Sequence, residues 1–186
     1  MTSSAWSDHI RVFRKKMNPW ACGFAILMLV QLLVIFTTFT DYGITIDEPP
    51  QVTYGEEIIK WYGSLFQYQA YFDRVKILDL ERYGGLFETL AYPFTQLLPF
   101  STFDTRHLVN ALIGLTGILA AYRLGTLLGS PVLGLLSAVF LLLTPRYYGH
   151  IFNNPKDLPF AVFYLWSIYA LIQCLEDLPD LGWRRI

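Results

Sequence analysis

One run of residues constrains this chain more than any other feature: Trp20 to Phe39 contains no charge at all. It supplies the ~20 consecutive apolar positions a helix needs to cross a bilayer. A secretory leader has a shorter apolar core and a small-residue cleavage site, whereas this run closes on Thr37-Thr38-Phe39. It therefore reads as an uncleaved membrane helix. Arg11, Arg14, Lys15 and Lys16 precede it, and Asp41, Asp47 and Glu48 follow. The positive-inside rule then predicts a cytoplasmic N-terminus and an acidic stretch on the outer side.

The rest of the chain repeats the theme. Leu108 to Leu128 holds Gly114, Gly117 and Ala121, small residues suited to close helix packing, and Arg123 near its end can snorkel to the interface. Gly129-Ser130-Pro131 predicts a tight turn, Val132 to Thr144 a return, and Leu158 to Leu175 a last crossing before Arg184 and Arg185. The expectation is an all-α integral membrane protein with four spans, at about 20–40, 108–128, 131–146 and 158–175. Segments 1–19 and 177–186 are expected in the cytoplasm of a multi-pass cell-membrane protein. With 54% hydrophobic against 16% charged residues, composition agrees. A net charge of −1 offers nothing to nucleic acid.

Residues 41–107 form a long, aromatic-rich outer loop. Within it Ile58, Ile59, Tyr62, Leu65 and Phe66 recur at helical spacing, as do Leu86, Phe87, Leu90, Ala91, Phe94, Leu97 and Leu98. Both segments read as helices lying along the interface. Glu88, Pro93 and insufficient length argue against the second as a span.

Two polar clusters could carry chemistry. Asp47 and Glu48 stand side by side before Pro49 and Pro50, which forbid a helix from running through them. The second outer loop, Pro145 to Phe160, crowds Arg146, His150, Asn153, Asn154, Lys156 and Asp157 between helices. Polar groups at a membrane boundary are costly unless solvated, paired or used. In a four-span topology the two loops share a face. Asp157 could then share a cavity with Asp47, while Lys156, Arg146 or Arg106 binds a phosphate. The plain alternative is that Asn153, Asn154 and Asp157 cap the last helix, and that His150 is an interfacial histidine. Cys22 and Cys174 lie in apolar runs near opposite ends and read as packing side chains. His9, His107 and His150 are scattered singly, which suggests no metal cluster.

Four stretches carry a family resemblance: Asp41-Tyr-Gly-Ile-Thr-Ile-Asp47-Glu48-Pro-Pro-Gln, Tyr83-Gly-Gly-Leu-Phe-Glu88, Thr105-Arg-His-Leu-Val-Asn110 and Tyr148-Gly-His-Ile-Phe-Asn-Asn-Pro-Lys-Asp157. From Trp20 to about Leu175 the chain resembles bacterial GT-C glycosyltransferases of the protein-mannosyltransferase and aminoarabinose-transferase group. The resemblance implies transfer of a sugar from a polyprenyl-phosphate donor to a lipid, glycan or protein acceptor. It implies Asp47 as general base, with Glu48 beside it and Asp157 positioning substrate or holding a cation. Lys156 and Arg106 would steady the leaving phosphate; Arg146, His150, Asn153 and Asn154 would line the substrate site. No cofactor is required, and a divalent metal is optional.

Members of this group have many more membrane helices. The resemblance therefore implies the N-terminal part of a catalytic module: a fragment, a truncated reading frame, or one half of a split enzyme whose partner polypeptide would carry the missing helices. The competing reading is a non-catalytic assembly or partner subunit whose aromatic loop binds another protein. A transporter would call for ionisable residues within the spans, which these largely lack.

Overall fold

The computed structural model describes residues 18–77, 80 and 83–176. The basic residues 11–16 and the predicted tail 177–186 lie outside them. Among the described residues the chain forms eight helices and no strand, an all-α membrane architecture.

The first helix, α1 (Pro19–Thr38), starts where Asn18 Oδ1 accepts a hydrogen bond from the Trp20 N–H at 3.0 Å, with proline in the first turn. Three shorter helices follow: α2 (Glu48–Gly63), α3 (Ala70–Ile77) and α4 (Leu86–Leu97). The sequence reading anticipated two helices here; α3 is additional. At 12 residues, about 18 Å long, α4 is too short to cross a hydrocarbon core of ~30 Å. Between α2 and α3, Leu65 and Phe66 adopt positive φ (52° and 68°) and stand exposed beside Tyr62.

Two boundaries differ from expectation, each for a local reason. Helix α5 runs Thr102–Leu128, beginning six residues before the predicted Leu108. Ser101 Oγ accepts from the Asp104 N–H at 3.1 Å and donates to the Asp104 carboxylate at 2.6 Å. This reciprocal cap starts the helix while the sequence is still polar. Arg106 and His107 are therefore helical residues rather than the end of a loop.

The third predicted span, 131–146, is instead a broken pair. Helix α6 (Pro131–Leu143) stops at Thr144, and α7 (Pro145–Asn153) leaves at 67° to it. Pro145 forces its predecessor out of the helical region, and Thr144 lies extended at φ −68°, ψ 112°. Thirteen residues alone reach only about 20 Å, so a crossing here needs both pieces. The last helix, α8, spans Asp157–Glu176. Helices α1, α5 and α8 are each long and apolar enough to cross a membrane, and the bent α6–α7 pair makes up to four.

Helix α5 is the axis, packing against α1, α4, α6, α7 and α8. Its small residues permit this. A Cβ on Gly114 would lie 2.7 Å from Ile151 Cγ1, and one on Gly125 would lie 3.0 Å from Gly134 Cα. One apolar cluster joins Ile35 and Phe39 at the end of α1, Leu108 and Ala111 near the start of α5, Ile151 and Phe152 on α7, and Leu158 and Val162 on α8. The loops after α1 and after α7 thus sit at one end of the bundle. A smaller core, Tyr54, Ile58, Val75 and Leu80, holds α2 and α3 together at that end.

Candidate active site

The polar end of the bundle is built by the first two turns of α5, the start of α2 and the α7–α8 connection. Pro49 and Pro50 do not close a helix here; they open α2, whose first-turn N–H groups have no intrahelical acceptors to lose. Asp47 and Glu48 flank this start and face opposite environments. The Asp47 side chain is 68% exposed, whereas that of Glu48 is 1% exposed.

Glu48 is held from three directions. Its Oε2 accepts from the Thr45 N–H at 2.6 Å and from the Thr45 hydroxyl at 3.0 Å, and its Oε1 lies 2.8 Å from His107 Nε2. Burial pushes the carboxyl upward. The hydrogen bonds from His107 and Thr45, with the imidazole's charge, together outweigh burial and hold it below the usual carboxylate range. Glu48 is therefore a structural anchor that fixes the turn displaying Asp47, not a second exposed carboxylate.

Arg106, one residue before His107, is likewise enclosed. Its Nη1 and Nη2 donate to Glu88 Oε2 and Oε1 at 2.5 and 2.9 Å, and its guanidinium lies 5.2 Å from the Phe87 ring centroid. Both side chains are buried. Burial pushes the Glu88 carboxyl upward, against the hydrogen bonds and charge of Arg106. Both terminal nitrogens of the Arg106 fork, expected to meet a phosphate, are paired with Glu88 in this structure. One turn on, Asn110 Nδ2 donates to the His150 and Ile151 carbonyls at 3.1 and 2.8 Å, tying α5 to α7.

The second loop meets the first through Lys156. Its Nζ lies 3.6 Å from Asp47 Oδ2 and 4.6 Å from the Tyr83 ring centroid. Asn154 Oδ1 accepts from the Lys156 and Asp157 backbone N–H groups at 3.3 and 3.0 Å, the pattern of a helix N-cap followed by proline. Its Nδ2 contacts His150 Nδ1 and donates to Asp157 Oδ2 at 3.1 Å. Asn154 is thus the cap of α8, and Asp157 is an exposed carboxylate in its first turn. Asn153 is half-buried at the end of α7.

Two cavities border this constellation. One of about 470 Å³ lies between α6, α7 and α8, lined by Arg146, His150 and Asp157 together with Leu141, Tyr147 and Ala161. The other, about 60 Å³, is lined by Gln51, Tyr54, Tyr83, Glu88 and Lys156. Arg146, His150 and Asp157 therefore share one cavity, while Asp47 contacts Lys156 on the rim of the other. Among the described residues no group of three or more His, Cys, Asp and Glu side chains is arranged to hold a metal ion. Cys22 and Cys174 are free.

Sequence reasoning passed over His107 and Gln51 and gave Glu88 no partner. A usable signal existed. Ser101-x-x-Asp104 is a helix start, and it places Arg106, His107 and Asn110 on the first turns of α5.

Residues 89–183, just over half of the 186-residue chain, match the family model described as dolichyl-phosphate-mannose-protein mannosyltransferase. The match contains Arg106, His107 and the whole second loop, and it begins after the Asp47 turn. No curated protein and no solved structure matches the chain.

Proposed function

Because the chain belongs to the dolichyl-phosphate-mannose-protein mannosyltransferase family of membrane glycosyltransferases, we propose that it transfers a sugar from a polyprenyl-phosphate donor to an acceptor hydroxyl at the membrane face carrying Asp47. The observation that carries this reading is the 3.6 Å approach of Lys156 to Asp47, which joins the two polar loops into one site.

Asp47 is the general base. As the acceptor oxygen forms its bond to the anomeric carbon, an Asp47 oxygen takes the hydroxyl proton. The bond from that carbon to the phosphate oxygen breaks, and the electron pair leaves with the polyprenyl phosphate. A leaving phosphate needs positive charge nearby. Lys156, half-buried beside Asp47, and Arg146, exposed on the larger cavity, supply it. That cavity combines apolar walls with Arg146, His150 and Asp157, a lining suited to a lipid bearing an anionic head. The exposed Tyr62, Leu65 and Phe66 seat the outer loop at the bilayer surface. The acceptor side is the outer one, with both termini cytoplasmic.

The test is transfer of mannose from dolichyl- or undecaprenyl-phosphate mannose in proteoliposomes holding the full chain. Asp47→Asn lowers turnover by about 10²–10⁴-fold, the worth of a positioned general base, and leaves membrane insertion unchanged. Wild-type turnover in that variant would remove Asp47 from the chemistry.

A further inference from the structure

Gln51 has no role in the scheme above, yet its position is unusual. It is 2% exposed, on the second turn of α2, and neither its Nε2 nor its Oε1 has a hydrogen-bond partner among the described residues. Burying an amide without hydrogen-bond partners is costly, so such a group calls for a partner. It lines the smaller cavity, and the other polar groups there complement it. Lys156 donates, the Glu88 carboxylate accepts, and Tyr83 offers a half-exposed ring. Tyr54 closes one side, its hydroxyl donating to the Tyr83 carbonyl at 3.0 Å.

Among the described residues the charges bordering this cavity are already paired, Lys156 with Asp47 and Glu88 with Arg106, which favours an uncharged ligand. It must also both donate and accept, to use an amide. The volume of about 60 Å³ admits a hydroxyl or hydroxymethyl edge and not a whole ring. An aromatic side chain at the mouth, with an amide, an ammonium and a carboxylate behind it, is the chemistry that reads a saccharide edge. We propose that Gln51 is the specificity-determining residue for the transferred sugar, receiving one hydroxyl-bearing edge of a pyranose while the ring packs at Tyr83. Lys156 then links the two roles, since it lines this cavity and lies against Asp47. This inference rests on the glycosyltransferase reading for its choice of ligand.

The experiment is saturation-transfer NMR on the full chain in detergent, with methyl α-mannopyranoside and its 2-, 3-, 4- and 6-deoxy forms as probes. Wild type is expected to bind the parent and to bind one deoxy form about tenfold more weakly. Gln51→Met, of similar volume, removes that difference by weakening the parent to the level of the deoxy form. Should Gln51→Met fail to fold, Tyr83→Leu at the exposed rim reduces saturation of the ring protons. Equal binding of all probes by wild type, or an unchanged deoxy pattern in Gln51→Met, overturns the proposal and leaves the cavity to ordered water. The two readings separate cleanly. A chain that transfers mannose with its deoxy discrimination intact in Gln51→Met keeps the transferase and loses the subsite. A chain that binds the mannoside through Gln51 but transfers nothing keeps the subsite and loses the transferase.

Discussion

Asp47 and Glu48 are neighbours in sequence and belong to two different layers of the molecule. Below lies a buried layer, where Glu48 meets His107 and Glu88 meets Arg106 on the first turns of α5. Above lies a rim, where Asp47, Lys156 and Asp157 remain open to solvent or half-open. The buried layer repeats one device. A carboxylate from the loop helices enters the bundle and is taken by a base on α5, which fixes α2 and α4 against the membrane helices. The rim residues have fewer fixed partners and keep their polar atoms available. The enclosed charges hold the fold together, and the proposed function places its chemistry on the exposed ones.

That division can be broken by substitution. The largest effect is expected from Arg106→Met, which strands a buried Glu88 carboxylate and costs about 3–5 kcal/mol. Thermal unfolding in detergent measures it, and adding Glu88→Leu should recover much of the loss. If Arg106→Met melts like wild type and loses transfer instead, Arg106 belongs with the rim.

A smaller loss, about 1–3 kcal/mol, is expected for Glu48→Leu, which leaves the Thr45 and His107 donors unpaired. Acid sharpens the same point. Because folding lowers the Glu48 pKa, its contribution is fully present above the ordinary carboxylate value and disappears as pH falls through the lowered folded value. The gap in melting temperature between wild type and Glu48→Leu should therefore be full near neutrality and shrink below about pH 4.5. A gap that is constant across that window would show that Glu48 acts by packing alone.

Asn154→Ala removes the cap of α8 and should cost about 1 kcal/mol. Its loss should be concentrated in amide exchange at Lys156 and Asp157, the two capped N–H groups. The smallest effect on stability belongs to Lys156→Gln, at most about 1 kcal/mol for an ion pair this exposed. Its transfer rate should nevertheless fall well below that of Asn154→Ala. Comparable melting losses in Lys156→Gln and Arg106→Met would erase the distinction between the layers.

The amino-acid sequence by itself determined the membrane-spanning architecture and the two polar loops. The reason is that apolar length and charge position act locally: a charge-free Trp20–Phe39 has few alternatives to a membrane helix. Pro145 was equally readable as an end to α6, because its ring acts on the residue before it. The direction taken beyond it, the 67° bend into α7, depends on packing against α5. Only the tertiary structure decided which charges are enclosed. Glu48 and His107 are 59 positions apart, and Glu88 and Arg106 are 18 apart. Nothing in the local pattern distinguishes Glu48 from Asp47 beside it. What separates them is that helix α2 turns one carboxylate toward α5 and leaves the other at the surface, and desolvation with hydrogen bonding then gives the two neighbours different work.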